Sequence, residues 1–429
     1  MKLIASRAFA AALALTLATA PAYAAERTPE QVAEAALRAA PVWDGHNDVP
    51  IQLRWRYLNV IGDFDFADTT GTGGEDEDVS WRGRTMHTDL ARLRQGRVGA
   101  QFWSVYVTAA LPEPEAVQAT IEQIDVTKRL IARYPGDLAL ALSADDVARA
   151  MKRGRIASLM GMEGGHSIGS SLAVLRQMYA IGARYMTLTH SKNTPWADSA
   201  TDKPEHDGLT GFGEQVVREM NRIGMLVDLS HVSEATMLDA LAVAKAPVIL
   251  SHSGARAVNG HARNVPDSVL AKLPENGGLV MVVGFPSYVS EARRLWGAAM
   301  DAEVARANAL YPGDPDAAKQ AAETWKAANP EPLATVSEMA DHVDHIRNVA
   351  GIDHIGIGGD YDGMPSGPEG MEDVSGYPRL FEELARRGYG QADLEKIASR
   401  NMMRVLRAAE AYAAAHAGDP PIESPVPKD

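Results

Sequence analysis

The sequence predicts an α/β chain folded as an eight-stranded parallel (β/α)8 barrel, a TIM-like fold. Short apolar runs rich in Val, Ile or Met recur along it, and stretches of helical period separate them. Several runs end in a residue able to bind a divalent metal. Strands alternating with helices imply parallel pairing, and runs that are apolar throughout imply strands covered on both faces. In a closed barrel the C-terminal ends of all strands share one rim, so residues far apart in sequence can build one site.

The runs fall at 41–48, 99–107, 156–163, 184–190, 224–231, 247–252, 278–285 and 354–360. Helical period marks 115–134, 171–179, 213–222, 233–245 and 336–349 between them. After the seventh run, 291–332 is Ala-rich and charged and is broken by Tyr311-Pro312-Gly313-Asp314-Pro315, which predicts an inserted helical hairpin. The stretch 63–84, rich in Gly, Asp, Glu and Thr, is expected to be a mobile loop near the rim. The tail 417–429 holds four prolines and is expected to be disordered. A single catalytic domain over 25–416 accommodates the rest.

The chain opens with a basic start, a short apolar stretch and Ala22-Tyr23-Ala24, the pattern of a secretory signal peptide over 1–24. That pattern places the mature protein in the periplasm or outside the cell. With no cysteine there is neither a disulfide nor a lipid-modifiable thiol, and no membrane anchor is expected. The full chain carries 42 basic and 56 acidic side chains, a formal charge of −14. Such a balance argues against nucleic acid or an anionic membrane as partner, since either calls for a basic face. Whether the chain forms a homodimer is not decided at this level.

The chemistry sits at the run ends. His46-Asn47-Asp48 puts two ligand side chains on one side of an extended chain. Glu163, flanked by glycines after a buried run, needs a cation or donors to offset its burial. His231 and His252 each follow a serine, one strand–helix–strand unit apart, which brings both imidazoles to the rim on neighbouring strands. Asp48 and Asp360 are expected to meet where the first and last strands adjoin. His190 ends the fourth run and serves either as a sixth ligand or as a neutral donor facing substrate. Arg263 either clamps a carboxylate with its planar fork or pairs at the surface with Asp267 or Glu275. His166 is expected to stabilise its loop. Imidazole and carboxylate ligands without thiolate suit zinc or a similar divalent ion. A Ser-His-Asp hydrolase is not expected.

Several motifs taken in order carry a family resemblance. They are Asp44-Gly45-His46-Asn47-Asp48, Glu163-Gly164-Gly165-His166-Ser167, Asn193-Thr194-Pro195-Trp196-Ala197-Asp198, Val227-Asp228-Leu229-Ser230-His231, Ser251-His252-Ser253, Arg263-Asn264-Val265-Pro266-Asp267 and Gly358-Gly359-Asp360-Tyr361-Asp362-Gly363. Over 42–406 the sequence closely resembles the membrane dipeptidase (renal dipeptidase) family of zinc metallopeptidases, within the amidohydrolase superfamily. The resemblance implies two zinc ions, the first held by His46, Asp48 and Glu163 and the second by Glu163, His231 and His252. Glu163 and a water or hydroxide would bridge them. It further implies that His190 faces the substrate, that Arg263 and Tyr288 hold its carboxylate, and that Asp360 handles protons. The function implied is an exported zinc dipeptidase that cleaves small dipeptides, including those with a C-terminal D-residue, by attack of the bridging hydroxide. The alternatives are a metal-dependent deacylase of N-acyl amino acids and a non-catalytic metal-binding protein. The chain departs from the family in lacking cysteines, in carrying Ser399-Arg400 before Asn401, and in its 291–332 insertion.

Overall fold

The computed structural model describes residues 27–73 and 84–423. The signal-peptide stretch, residues 74–83 of the expected loop and the last six residues lie outside them. Nine strands form one parallel sheet: β1 Val42–Asn47, β2 Val98–Ser104, β3 Leu138–Leu140, β4 Ile156–Glu163, β5 Ala183–Thr187, β6 Leu226–Asp228, β7 Ile249–Ser253, β8 Leu279–Val283 and β9 Ile355–Gly358. The order is β2-β1-β9-β8-β7-β6-β5-β4-β3, and a β2–β4 pairing closes it into a barrel. Eight strands make that barrel, a TIM barrel. The short β3, which no apolar run announces, pairs only with the start of β4 at Ile156, Ala157 and Ser158.

Alternation along each strand explains why the runs are apolar throughout. Trp43, Phe102, Leu159, Tyr185, Leu226, Ile249 and Leu279 belong to one buried cluster. Their neighbours Val42, Trp103, Met160, Met186, Val227, Leu250 and Val280 belong to another. Successive strand residues point to opposite faces, so the first set fills the lumen and the second packs under the surrounding helices. Met402, Val405 and Leu406 of the helix Asn401–Ala415 join the lumen cluster. Hydroxyl caps fix the starts of outer helices: Ser171 before Leu172–Ala180, Thr210 before Gly211–Ile223, Ser233 before Glu234–Val243 and Thr335 before Val336–Ala350.

After β8, the seventh strand of the barrel, come two packed helices, Glu291–Leu310 and Pro315–Ala328, whose Trp296 and Trp325 rings lie 6.0 Å apart. In the stretch read as a loop, Phe64 and Phe66 are buried, and Phe66 packs edge-on against Trp103. In the tail, Ile422 donates its N–H to Glu219 at 3.1 Å, and its carbonyl accepts from Arg176 at 3.2 Å.

Gly161 of β4 faces Tyr185 across the β4–β5 register, and a Cβ there would enter the buried phenol ring. Gly161→Ala is therefore expected to lower stability by about 1–3 kcal/mol through overpacking, read as a lower denaturant midpoint with an unchanged m-value.

Candidate metal centre and cleft

The site begins with Glu163, the last residue of β4, whose carboxylate is almost fully buried. Around it stand four imidazoles. His231 Nε2 lies 3.0 Å from Glu163 Oε1, His252 Nε2 3.5 Å and His190 Nε2 3.6 Å, while His46 Nε2 is 3.5 Å from Oε2. Ser104 donates to Oε2 at 3.1 Å. His231 Nε2 and His252 Nε2 are 2.9 Å apart, and His46 Nε2 is 3.3 Å from Asp48 Oδ2. Three groups of donor atoms converge within 4.8 Å: His46, Glu163 and His252; Glu163, His190 and His231; His46, Asp48 and Asp360. Every residue read from the sequence as a ligand is present, and His190 and Asp360 join them. The last group brings Asp360 beside Asp48, where the first and last strands adjoin.

The backbone bends sharply to achieve this. β6 ends at Asp228 and β9 at Gly358, so His231 and Asp360, which the apolar runs included, sit beyond the strands themselves. Both adopt left-handed backbone, φ 67° and 65°. Non-glycine residues seldom do so, and such strain persists only where the surroundings over-determine it. The His231 carbonyl accepts from Ala200 N–H at 2.7 Å and from the Thr189 and Ser199 hydroxyls at 3.3 and 3.4 Å. Asp360 N–H donates to the His46 carbonyl at 3.1 Å, which joins β9 to β1 at the rim.

Electrostatics set the cluster's needs. Asp48, Glu163 and Asp360 are buried together, and none forms an ion pair with Lys or Arg among the described residues. Burial, reinforced by the other carboxylates, pushes Asp360 well above the usual carboxylate range and raises Asp48 too. Burial also pushes Glu163 upward, but the surrounding imidazoles outweigh it and hold that group well below its usual value. Burial drives His190 down to about 4; Glu163 opposes this and the Arg263 guanidinium adds to it. A divalent cation would supply the counter-charge that these buried carboxylates call for. The donors fit one: His46 Nε2 is buried without a hydrogen-bond partner, and its Nδ1 is held by the Tyr185 hydroxyl at 2.8 Å.

Above the cluster opens a cleft of about 230 Å³. Ile51, Trp55 and Tyr106 contribute to its lining, as do Phe285, Tyr288 and Arg263. Arg263 is buried, donates to the His252 carbonyl at 3.3 Å and lies 5.3 Å from the Tyr288 ring centre. It makes no ion pair among the described residues; Asp267, one surface partner considered from the sequence, instead meets His345 at 2.7 Å. His166 contacts the Val107 carbonyl at 3.2 Å, tying the loop after β4 to the one after β2.

Sequence reasoning assigned no role to Asp44, Ser104, Tyr185 or Asp228, which hold the ligands from behind. Asp44 accepts from His46 N–H, Gly359 N–H and the Tyr377 hydroxyl. The available signal was an acid inside an apolar run, two or three positions before a histidine.

A barrel whose rim gathers buried imidazoles and carboxylates beneath an open cleft defines a metal-dependent hydrolase. The membrane dipeptidase family, peptidase family M19, matches residues 30–419, and the chain belongs to it. It is similar to Dipeptidase 3 of Rattus norvegicus, with 41% identity over 399 residues, covering 92% of this chain and 70% of that protein. The solved probable dipeptidase PvdM from Pseudomonas aeruginosa superposes with a TM-score of 0.74 at 25% identity, over 90% of this chain and 99% of that one. A metallo peptidase from Rhodobacter sphaeroides, liganded with a phosphinate mimic of the dipeptide L-Ala-D-Ala, shares the fold with a TM-score of 0.67 at 23% identity, over 86% of this chain and 99% of that one. The protein is an enzyme, a metallopeptidase of the dipeptidase kind.

A Cβ at Gly363 would run into Asp48 Oδ2 and lie 2.7 Å from Asp360 Oδ1. Gly363→Ala is expected to weaken metal binding on the order of tenfold or more, measured by chelator competition, while the unfolding midpoint of the metal-free protein stays near wild type.

Proposed function

We propose that the protein is an exported, zinc-dependent dipeptidase that binds two zinc ions and accepts dipeptides with a C-terminal L- or D-residue. One observation carries this reading: a buried guanidinium without an ion pair among the described residues, Arg263, lines the same small cleft as the convergent imidazoles and carboxylates. A buried cation of this kind calls for an anion from the substrate. A free carboxylate held there lies one residue beyond the bond to be cut, so substrate length is set by the distance from clamp to metal site. Export is supported by the basic, then apolar, then small-residue pattern of residues 1–24. No helix of the described residues is long and apolar enough to cross a membrane.

His46, Asp48, Glu163, His231 and His252 would hold the metals, with Glu163 shared. When bound, the cations acidify water for attack and polarise the scissile carbonyl. Arg263, with Tyr288 beside it, orients the substrate through its carboxylate. His190, neutral at physiological pH, offers a ring N–H to the oxygen that gains charge as water adds to the carbonyl carbon. Asp360 takes the proton released by the attacking water and returns it to the amine as the C–N bond breaks. The burial and neighbouring carboxylates that raise Asp360 favour this role, since both states of the carboxyl must be reachable.

Asp360→Asn is expected to lower kcat by roughly 10²–10⁴-fold with zinc content retained; unchanged turnover would remove Asp360 from the reaction. Arg263→Met is expected to raise KM for L-Ala-L-Ala and L-Ala-D-Ala by at least about tenfold, the loss of a charge-assisted hydrogen bond. The corresponding dipeptide amides, which lack the carboxylate, should be indifferent to that change. A panel pairing these dipeptides with tripeptides and N-acyl amino acids tests the reading itself, and turnover of N-acyl amino acids alone would replace it with a deacylase.

A further inference from the structure

Below the rim, the barrel lumen carries a polar layer that takes no part in the chemistry above. Thr187, Asp228 and Ser251 each stand two residues after a lumen side chain, Tyr185, Leu226 and Ile249, so strand alternation turns all three inward. Asp228 is fully buried and forms no ion pair among the described residues. Four donors hold it instead. The Thr187 and Ser251 hydroxyls reach Oδ2 at 2.5 and 2.6 Å, and the N–H groups of Ser230 and Ser251 reach Oδ1 at 3.1 and 2.9 Å.

These bonds fix the direction of the next one. An ionised carboxylate only accepts, and a serine hydroxyl has one proton. Ser251 spends that proton on Asp228, so its oxygen meets His252 Nδ1, 2.9 Å away, as an acceptor. His252 then carries its hydrogen on Nδ1 and presents the lone pair of Nε2 to the rim. There Nε2 lies 2.9 Å from His231 Nε2 and 3.5 Å from Glu163 Oε1. The layer also extends toward the substrate end. Ser230 accepts from His252 N–H at 3.0 Å and meets Ser253 Oγ at 3.1 Å, and Arg263 donates to that same Oγ at 3.5 Å.

We propose that Asp228, acting through Ser251, is a positioning residue that locks His252 in the tautomer able to ligate metal. This rests on the reading of His252 as a ligand. Without the relay the ring is free to place a hydrogen on Nε2, and an N–H cannot bind a cation. Partners in this position change metal affinity by roughly 10–100-fold when removed.

The test compares full-length wild type with Ser251→Ala, Asp228→Asn and Thr187→Val, using zinc titration against a chromophoric chelator. Ser251→Ala deletes the acceptor for His252. Asp228→Asn keeps the shape but places an amide where two hydroxyls donate. Thr187→Val removes one hydrogen bond to Asp228 and leaves the Ser251–His252 link intact. The expected result is a roughly 10–100-fold weaker zinc equivalent in the first two, with an altered visible spectrum of the cobalt-substituted protein. Thr187→Val should bind like wild type. Wild-type zinc affinity in both Ser251→Ala and Asp228→Asn overturns the proposal. So does an equal loss in Thr187→Val, which would mark a general packing effect. The readout is metal affinity, so a wild-type protein that binds zinc but cleaves no dipeptide would sink the functional reading while this comparison still decides the relay.

Discussion

The structure depends on a carboxylate, Glu163, set at the end of a buried strand and reached by four imidazoles from four other segments of chain. A buried negative charge without compensation costs several kcal/mol, and no Lys or Arg forms an ion pair with it among the described residues. Much of the rim geometry answers that requirement. β1, β5, β6 and β7 each deliver a histidine to it, either from the strand or within three residues of its end. The barrel supplies the convergence, because parallel strands in a closed ring place their C-terminal ends around one circle.

Convergence alone leaves the donor atoms loosely aimed, and two further devices sharpen it. Left-handed backbone at His231 and Asp360 turns those side chains back over the lumen, at a conformational cost of order 1–3 kcal/mol each. Hydrogen bonds to the His231 carbonyl and from Asp360 N–H hold the two turns. Behind the imidazoles, Tyr185 meets the His46 ring and Ser251, itself bonded to Asp228, meets the His252 ring, while Asp44 accepts from the His46 backbone N–H. The lumen is thus apolar at the level of Leu159 and Ile249 and polar one layer above, where Asp228 and Ser251 stand. That gradient separates a layer whose task is packing from one whose task is orientation.

The cleft adds the substrate's half of the geometry. The Arg263 guanidinium lies 5.3 Å from the Tyr288 ring centre and is anchored by a hydrogen bond on the backbone of His252, the same residue whose ring faces Glu163. In the proposed reading that hydrogen bond joins the carboxylate clamp to a metal ligand, which ties the length of an acceptable substrate to the backbone of a single strand end. Recognition by such a short, fixed span favours preorganised binding of a small molecule over a long flexible one.

The sequence by itself determined the barrel and which side chains share its rim. Strands buried on both faces read as continuous apolar runs, and a charged or imidazole residue ending such a run stands out against them. It could not mark where strands stop: Leu188 and Leu229 are buried and apolar although they lie beyond β5 and β6, so those runs overshoot into turns. Nor could it reveal β3, three residues long with Leu140 exposed, which leaves almost no pattern. Only the tertiary structure decided that Arg263 is buried without an ion pair among the described residues, and that Asp228 reaches His252 through Ser251. Those facts are angles and distances between segments far apart in the chain. Hydrophobic periodicity fixes which face a residue takes, whereas the direction of a hydrogen bond is settled only once the strands have closed.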